Sequence, residues 1–232
     1  MPLTDNIIGI TVGIRYAKSF RIPDISGDVI DNILYGSESP FSKEFFPRVQ
    51  ENSAREKTLF NPNTDEYLRL NTDDLIIGIS VRGNFEEKFN WVKEEVLGYF
   101  QNTLFTKFNI KNIRRLGIIY AHKVSKDNRF TKLVSSLTNN SITSAEKINV
   151  SFSQKSAATE ALIRKKVNDY QNTIYNFAEM ENALQAQLDY QYYYEPVIED
   201  LRECFTDKIL SDSRNYLENN YYSWLDDYAE KN

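Results

Sequence analysis

The chain holds few of the side chains that usually carry catalysis. It has one histidine, His122, and one cysteine, Cys204. A multi-histidine or Cys-x-x-Cys metal site cannot be built from them. A Ser-His-Asp or Cys-His arrangement would have to use His122, which falls in the middle of a strand-like run. A structural role is expected there, as a half-buried polar group. Cys204 falls on an apolar helical stripe and is expected as a small buried residue. No Walker A loop and no GxGxxG pattern occurs. Glu86-x-Lys88 has a nuclease-like look but belongs to the first turn of a helix, where acidic residues are favoured anyway. Asp73-Asp74 and Asp226-Asp227 read as solvated turn and helix carboxylates. These residues point away from an enzyme, and they call for no metal and no cofactor.

Two other kinds of chemistry remain. The basic clusters Arg114-Arg115 and Arg164-Lys165-Lys166 read as charges at strand ends or on an edge strand. Functionally, they would contact phosphates in a nucleic-acid-binding module. The run Tyr190-Gln191-Tyr192-Tyr193-Tyr194 puts alternate tyrosines on one face. It reads either as cross-strand packing or as an interface. Tyr192, Tyr193 and Tyr194, with Tyr221, Tyr222 and Trp224, are therefore the candidate protein-contact residues.

The elements that position these groups follow from periodicity. In 113–124, Leu116, Ile118, Tyr120, His122 and Val124 alternate onto one face of a strand. The other face is also apolar at its centre, as in a strand covered on both sides. Near the N-terminus, 7–20 reads as a strand with Ile8, Ile10, Val12, Ile14 and Tyr16 in period two. Gly13-Ile14-Arg15-Tyr16-Ala17 matches Gly117-Ile118-Ile119-Tyr120-Ala121 at four of five positions. After the first strand come a short helix ending near Gly36, an irregular stretch over 37–56, and strands over 57–60, 67–70 and 75–82. Asn84 then caps a helix, with Glu87 in the capping-box position. Its stripe is Phe85, Phe89, Val92, Val96, Phe100, Leu104 and Phe108. After the second strand come a short helix over 128–137 and strands over 147–154, 161–170, 173–177 and 183–194. A last helix is expected to start at Glu195-Pro196, with Val197, Leu201, Phe205 and Ile209 on its stripe and a kink near 211–213.

The expected fold is thus α+β, with a strand, helix, antiparallel meander and helix given twice. The halves are 1–111 and 112–232, joined in one compact unit. Together they would form one curved sheet with helices on its convex face, similar to the saddle of the TATA-binding-protein type. The 232 residues, 41% of them hydrophobic, suffice for a real core. A net charge of −5 argues against broad nucleic-acid binding but allows a local patch. The absence of an apolar span or leader, together with the lone cysteine, gives a cytoplasmic location and no membrane as the expectation.

Arg115, Leu116, Gly117 and Tyr120, preceded by Trp91 in the aromatic helix, resemble a sporadically distributed, uncharacterised family of bacterial proteins. Its members carry an Arg-(Leu/Ile)-Gly-Leu-Arg-Tyr-(Ile/Val)-Asn strand after a Trp-containing helix. Ile119 stands where that family has Arg, and Ala121-His122 where it has Ile-Asn. The resemblance implies an architecture rather than an activity. The family's patchy distribution hints at mobile elements or phage defence. The expected function is a non-enzymatic protein-interaction subunit, self-associating or binding a protein partner. The alternative is a nucleic-acid-binding module on the curved sheet.

Overall fold

The computed structural model describes residues 7–53, 55–125, 149–158, 168–180 and 183–224. Among the described residues, nine strands form one open, curved, antiparallel sheet, and the described helices pack on one of its faces. The strands are β1 (Ile7–Tyr16), β2 (Arg48–Ser53), β3 (Glu56–Asn61), β4 (Glu66–Asn71), β5 (Asp74–Ser80), β6 (Ile113–Ser125), β7 (Asn149–Ala157), β8 (Tyr170–Met180) and β9 (Ala183–Ile198). Their order across the sheet is β2-β3-β4-β5-β1-β6-β9-β8-β7. The two strands with the matching Gly-Ile motif therefore lie side by side at the centre. They run antiparallel, with Gly13 directly opposite Gly117.

Period two decides which side chains are buried. Ile10, Val12, Ile14 and Tyr16 of β1 and Leu116, Ile118 and Tyr120 of β6 all enter the core. Ile8 does not, and is 41% exposed. A register shift between Ile7 and Gly9 turns Ile7 inward in its place.

Helix α1 (Ile22–Tyr35) buries Val29, Ile30 and Ile33. Helix α2 is a continuous run, α-helical at Phe85–Trp91, Leu97–Tyr99 and Phe105–Phe108, with π turns at Val92–Val96 and Phe100–Leu104. The π turns follow from the stripe. From Val92 to Phe108 the apolar residues recur every four positions, and each such step would advance about 40° around a 3.6-residue helix. Wider turns hold the stripe on the core, and all five of these residues are buried. The Asn84 side chain accepts from Glu87 N at 3.1 Å, and Asn84 Nδ2 donates to Glu87 Oε2 at 2.5 Å. Helix α3 (Thr206–Tyr216) runs on through a π turn at Leu217–Tyr221. No described helix is long and apolar enough to cross a membrane.

Two expectations are corrected. The stretch over 37–56 is not wholly irregular. Its second part is β2, an exposed outer strand with no apolar alternation to betray it. Pro196 does not start a helix. It lies inside β9, which continues to Ile198, and α3 begins only at Thr206. Val197 is consequently exposed, and Cys204 is buried between a 3₁₀ turn at Leu201–Glu203 and α3. Helix α3 is unbroken through the Ser211-Asp212-Ser213 segment, where a kink was expected. Ser213 is fully buried and donates to Leu210 O at 2.7 Å while Tyr120 OH lies 2.8 Å away, so the tyrosine donates to the serine. The helix expected over 128–137 and the strand over 161–170 fall on residues largely outside those described.

Candidate functional site

The sheet face turned away from the helices is built by the alternate residues of each strand that do not enter the core. Strand register carries one row across the sheet through Gln50, Thr58, Arg69, Ile76, Gly13, Gly117, Gln191, Asn172 and Lys155. A neighbouring row runs Asp74, Arg15, Arg115, Tyr193, Tyr170 and Ala157. At the seam of β1 and β6, two guanidinium-bearing residues therefore stand opposite each other. Like charges in that relation destabilise a sheet unless something compensates.

Compensation is uneven. Arg15 donates from Nη2 to Asp73 Oδ2 at 3.1 Å. Among the described residues, Arg115 has no carboxylate at ion-pair distance. It donates from Nη1 to the Tyr193 hydroxyl at 3.3 Å, and its Nε is buried without a hydrogen-bond partner. Its guanidinium carbon sits 5.7 Å from the Tyr193 ring centre. Tyr193 stacks on Tyr170, with centroids 4.6 Å apart and planes 6° from parallel. Lys155 Nζ lies 3.7 Å over Tyr170. The sequence Arg115, Tyr193, Tyr170, Lys155 is thus a cation–ring–ring–cation series across four strands. Tyr193 OH donates to Gln191 Oε1 at 2.9 Å, and Gln191 Nε2 donates to Asp189 Oδ2 at 2.6 Å. Burial raises the pKa of Asp74 and of Asp189, opposed at Asp74 by Arg69, Arg15 and Arg115.

A pocket of about 480 Å³ opens at this end of the seam. Arg15, Arg114 and Arg115 line it, with Asp73 and Glu195 as its acids and Tyr170, Tyr193, Pro196 and Val197 as other walls.

The residues named from sequence divide sharply. Tyr192, Tyr194, Tyr221 and Tyr222 are buried at 0, 4, 0 and 8% exposure. Their rings belong to the core in this chain, so an interface on these six aromatics would rest on Tyr193 and on Trp224, which is partly exposed. Tyr193 is drawn instead to Arg115, so the structure joins one aromatic and one basic candidate that sequence had put in separate sets. Arg114 is exposed on the pocket rim. Arg164, Lys165 and Lys166 lie outside the described residues. Arg15, Asp73, Tyr170 and Lys155 were missed as site residues. A signal existed for Arg15. If the two Gly-Ile strands pair antiparallel at their glycines, the residue two after Gly13 must face the residue two before Gly117.

His122 and Cys204 are both buried, at 1 and 0% exposure. Neither ring nitrogen of His122 has a hydrogen-bond partner among the described residues, and its ring packs against Tyr221 and Tyr222 at 5.1 and 6.0 Å. Burial lowers its pKa from 6.5 to about 4. Glu86 is bound by Arg214, whose Nη1 and Nη2 donate to its two oxygens at 2.7 and 2.6 Å. It therefore ties α3 to α2. No cluster of metal-ligating side chains occurs among the described residues.

The two ends of the sheet differ. β2 has six residues, carries Arg48 and Glu51, and shifts register near its end. β7 is nine residues long and exposed almost throughout, and among the described residues it is paired only with β8. Its one charged residue, Lys155, is folded back onto Tyr170. No family model matches this chain, and no curated protein matches it in sequence.

Proposed function

We propose that this chain is a non-enzymatic interaction subunit that captures an extended segment of a partner protein along β7. The carrying observation is that, among the described residues, nothing pairs with or guards that edge. Edge strands are usually protected by charge, proline, bulges or shortness. β2 has charge, shortness and a bulge, whereas β7 is long and regular and turns its only cation inward. An added strand would gain main-chain hydrogen bonds there. It would set apolar residues beside Val150 and Phe152 and polar ones beside Ser151 and Ser153. A phage-defence or mobile-element setting rests only on the distribution of the family the chain resembles.

The reading includes an internal duplication, with halves 1–111 and 112–232 in one saddle-like unit. The central pairing of Gly13 with Gly117 and the outward order β5-β4-β3 against β9-β8-β7 support it. A second reading, nucleic-acid binding on the helix-free face, is favoured by Arg15, Arg69 and Arg115 on that face. Asp74 and Asp189, on the same face, and the acidic chain weigh against it.

The test is capture of the partner from the host by wild type and by Gln154→Lys/Ser156→Lys, followed by hydrogen exchange on the complex. Loss of capture in the variant and new protection of β7 amides are expected. Protection confined to other strands would overturn strand capture. A dimer of this chain joined through β7 would replace the foreign partner with a second copy.

A further inference from the structure

We infer that the seam pocket is a binding site for a small phosphate monoester, with its phosphate on Arg15 and Arg115 and an organic body against the opposite wall. This inference is independent of strand capture, which uses the outer edge.

The charge pattern comes first. Register holds Arg15 and Arg115 face to face, and Arg114 follows on the rim of the same pocket. The two Nη groups of Arg115 carry four N–H donors, of which one makes a long contact to a phenol, while its Nε–H is buried. A planar fork with unfilled donors suits an oxyanion better than it suits water. A dianion would add to the partial compensation that Asp73, Asp74 and Asp189 give the opposed guanidiniums. Asp73 competes for Arg15 through an exposed, weak ion pair. Glu195 is exposed at the pocket wall.

Positioning comes second. Both faces of the Tyr193 ring are used, one by Tyr170 and one by Arg115. The ring pair therefore acts as a buttress that fixes the Arg115 fork rather than as a free platform for stacking. Gln191 holds the Tyr193 hydroxyl in turn. An anion site whose cation is held from behind needs less ordering when the ligand arrives.

Size comes third. About 480 Å³ is in the range of small-molecule sites and far exceeds a bare phosphate. Away from the arginines, the lining includes Pro196, Val197 and Tyr170, whose ring faces are already taken by Tyr193 and Lys155. Those surfaces fit a flat or apolar body and offer no second anion subsite. The ligand class is thus a monoester, as on a mononucleotide or on the phosphorylated end of a nucleic-acid strand.

The experiment is calorimetric titration of the full chain with adenosine monophosphate, inorganic phosphate and adenosine. Adenosine monophosphate is expected to bind tightest, inorganic phosphate more weakly, and adenosine about tenfold or more below the nucleotide. Arg115→Gln and Arg15→Gln should each weaken the nucleotide about tenfold. Lys123→Gln, on the same strand outside the pocket, should leave it unchanged. Thermal melts establish that each variant is folded. If Arg115→Gln does not fold, Arg15→Gln and Arg114→Gln, both at exposed residues, carry the test. Oligonucleotides with a 5′-phosphate or a 5′-hydroxyl separate the sources. Tighter binding of the phosphorylated strand than of the nucleotide assigns the site to a strand end, and the reverse assigns it to a free small molecule. No nucleotide binding at millimolar concentration, equal binding of adenosine and its monophosphate, or unchanged binding in the folded arginine variants would overturn the inference.

Discussion

At the residue scale, burial decides what each polar group can do. His122 is the clearest case. Its pKa falls from 6.5 to about 4 on folding, so between those values the unfolded chain takes up a proton that the folded chain does not. The stability this group contributes is complete above pH 6.5 and is lost as pH falls toward 4. One pKa unit corresponds to about 1.4 kcal/mol, so roughly 3 kcal/mol is at stake across the window. Urea unfolding should show wild type losing about 2 kcal/mol more than His122→Leu between about pH 7 and pH 5. Equal losses would mean that the ring is hydrated or paired in solution. Gly78 offers a second test on the helix-free face. A Cβ there would lie 2.3 Å from Cε1 of Tyr67, so the Tyr67 ring covers the glycine. Gly78→Ala should cost about 1 kcal/mol or more, because the ring must swing away. In a double-mutant cycle, Tyr67→Ala should remove most of that cost. An additive cycle would show that the ring does not rest there.

At the element scale, helix α2 and strand β7 show opposite relations between sequence and surroundings. Helix α2 is locally specified. Its cap, its aromatic stripe and its π turns all follow from residues 84 to 108. Asn84→Ala should cost about 1 kcal/mol in thermal or chemical unfolding, since Glu87 N then loses its acceptor at the helix start. No measurable loss would mean that water replaces the cap fully. β7 has weak local specification, with serines, glutamine and lysine in place of a buried run. Its nine-residue register comes from β8, to which it is paired along its whole length. Among the described residues its outer side is unpaired.

At the scale of the whole molecule, charge is acidic overall but arranged with cations at the central seam. Broad contact with a nucleic-acid backbone needs many phosphates neutralised, and its affinity falls steeply with salt. A blunt duplex without terminal phosphates should therefore give no electrophoretic shift at physiological salt. A salt-sensitive shift at sub-micromolar protein, abolished by charge reversal at Arg114 and Arg115, would favour the nucleic-acid reading over strand capture.

The α+β class, the central strands, the meander over 56–80 and the capped helix were legible because periodicity and capping are local properties of the chain. Alternation named the core residues of β1, apart from the bulge that exchanged Ile7 for Ile8, and those of β6 from Leu116 to His122. What was not legible depended on partners distant in sequence. β2 is a strand because β3 offers it a ladder, and its own residues are all exposed. Pro196 stays in a strand because β9 is held between β6 and β8, which overrides its preference for a helix start. Composition alone established that the chain has one histidine and one cysteine for chemistry. Only the antiparallel register set Arg15 opposite Arg115, put Tyr193 over that arginine, and sent Tyr192, Tyr194, Tyr221 and Tyr222 into the core. Side-chain identity is written residue by residue, but a site requires proximity, and here the sheet's hydrogen-bond register supplies it.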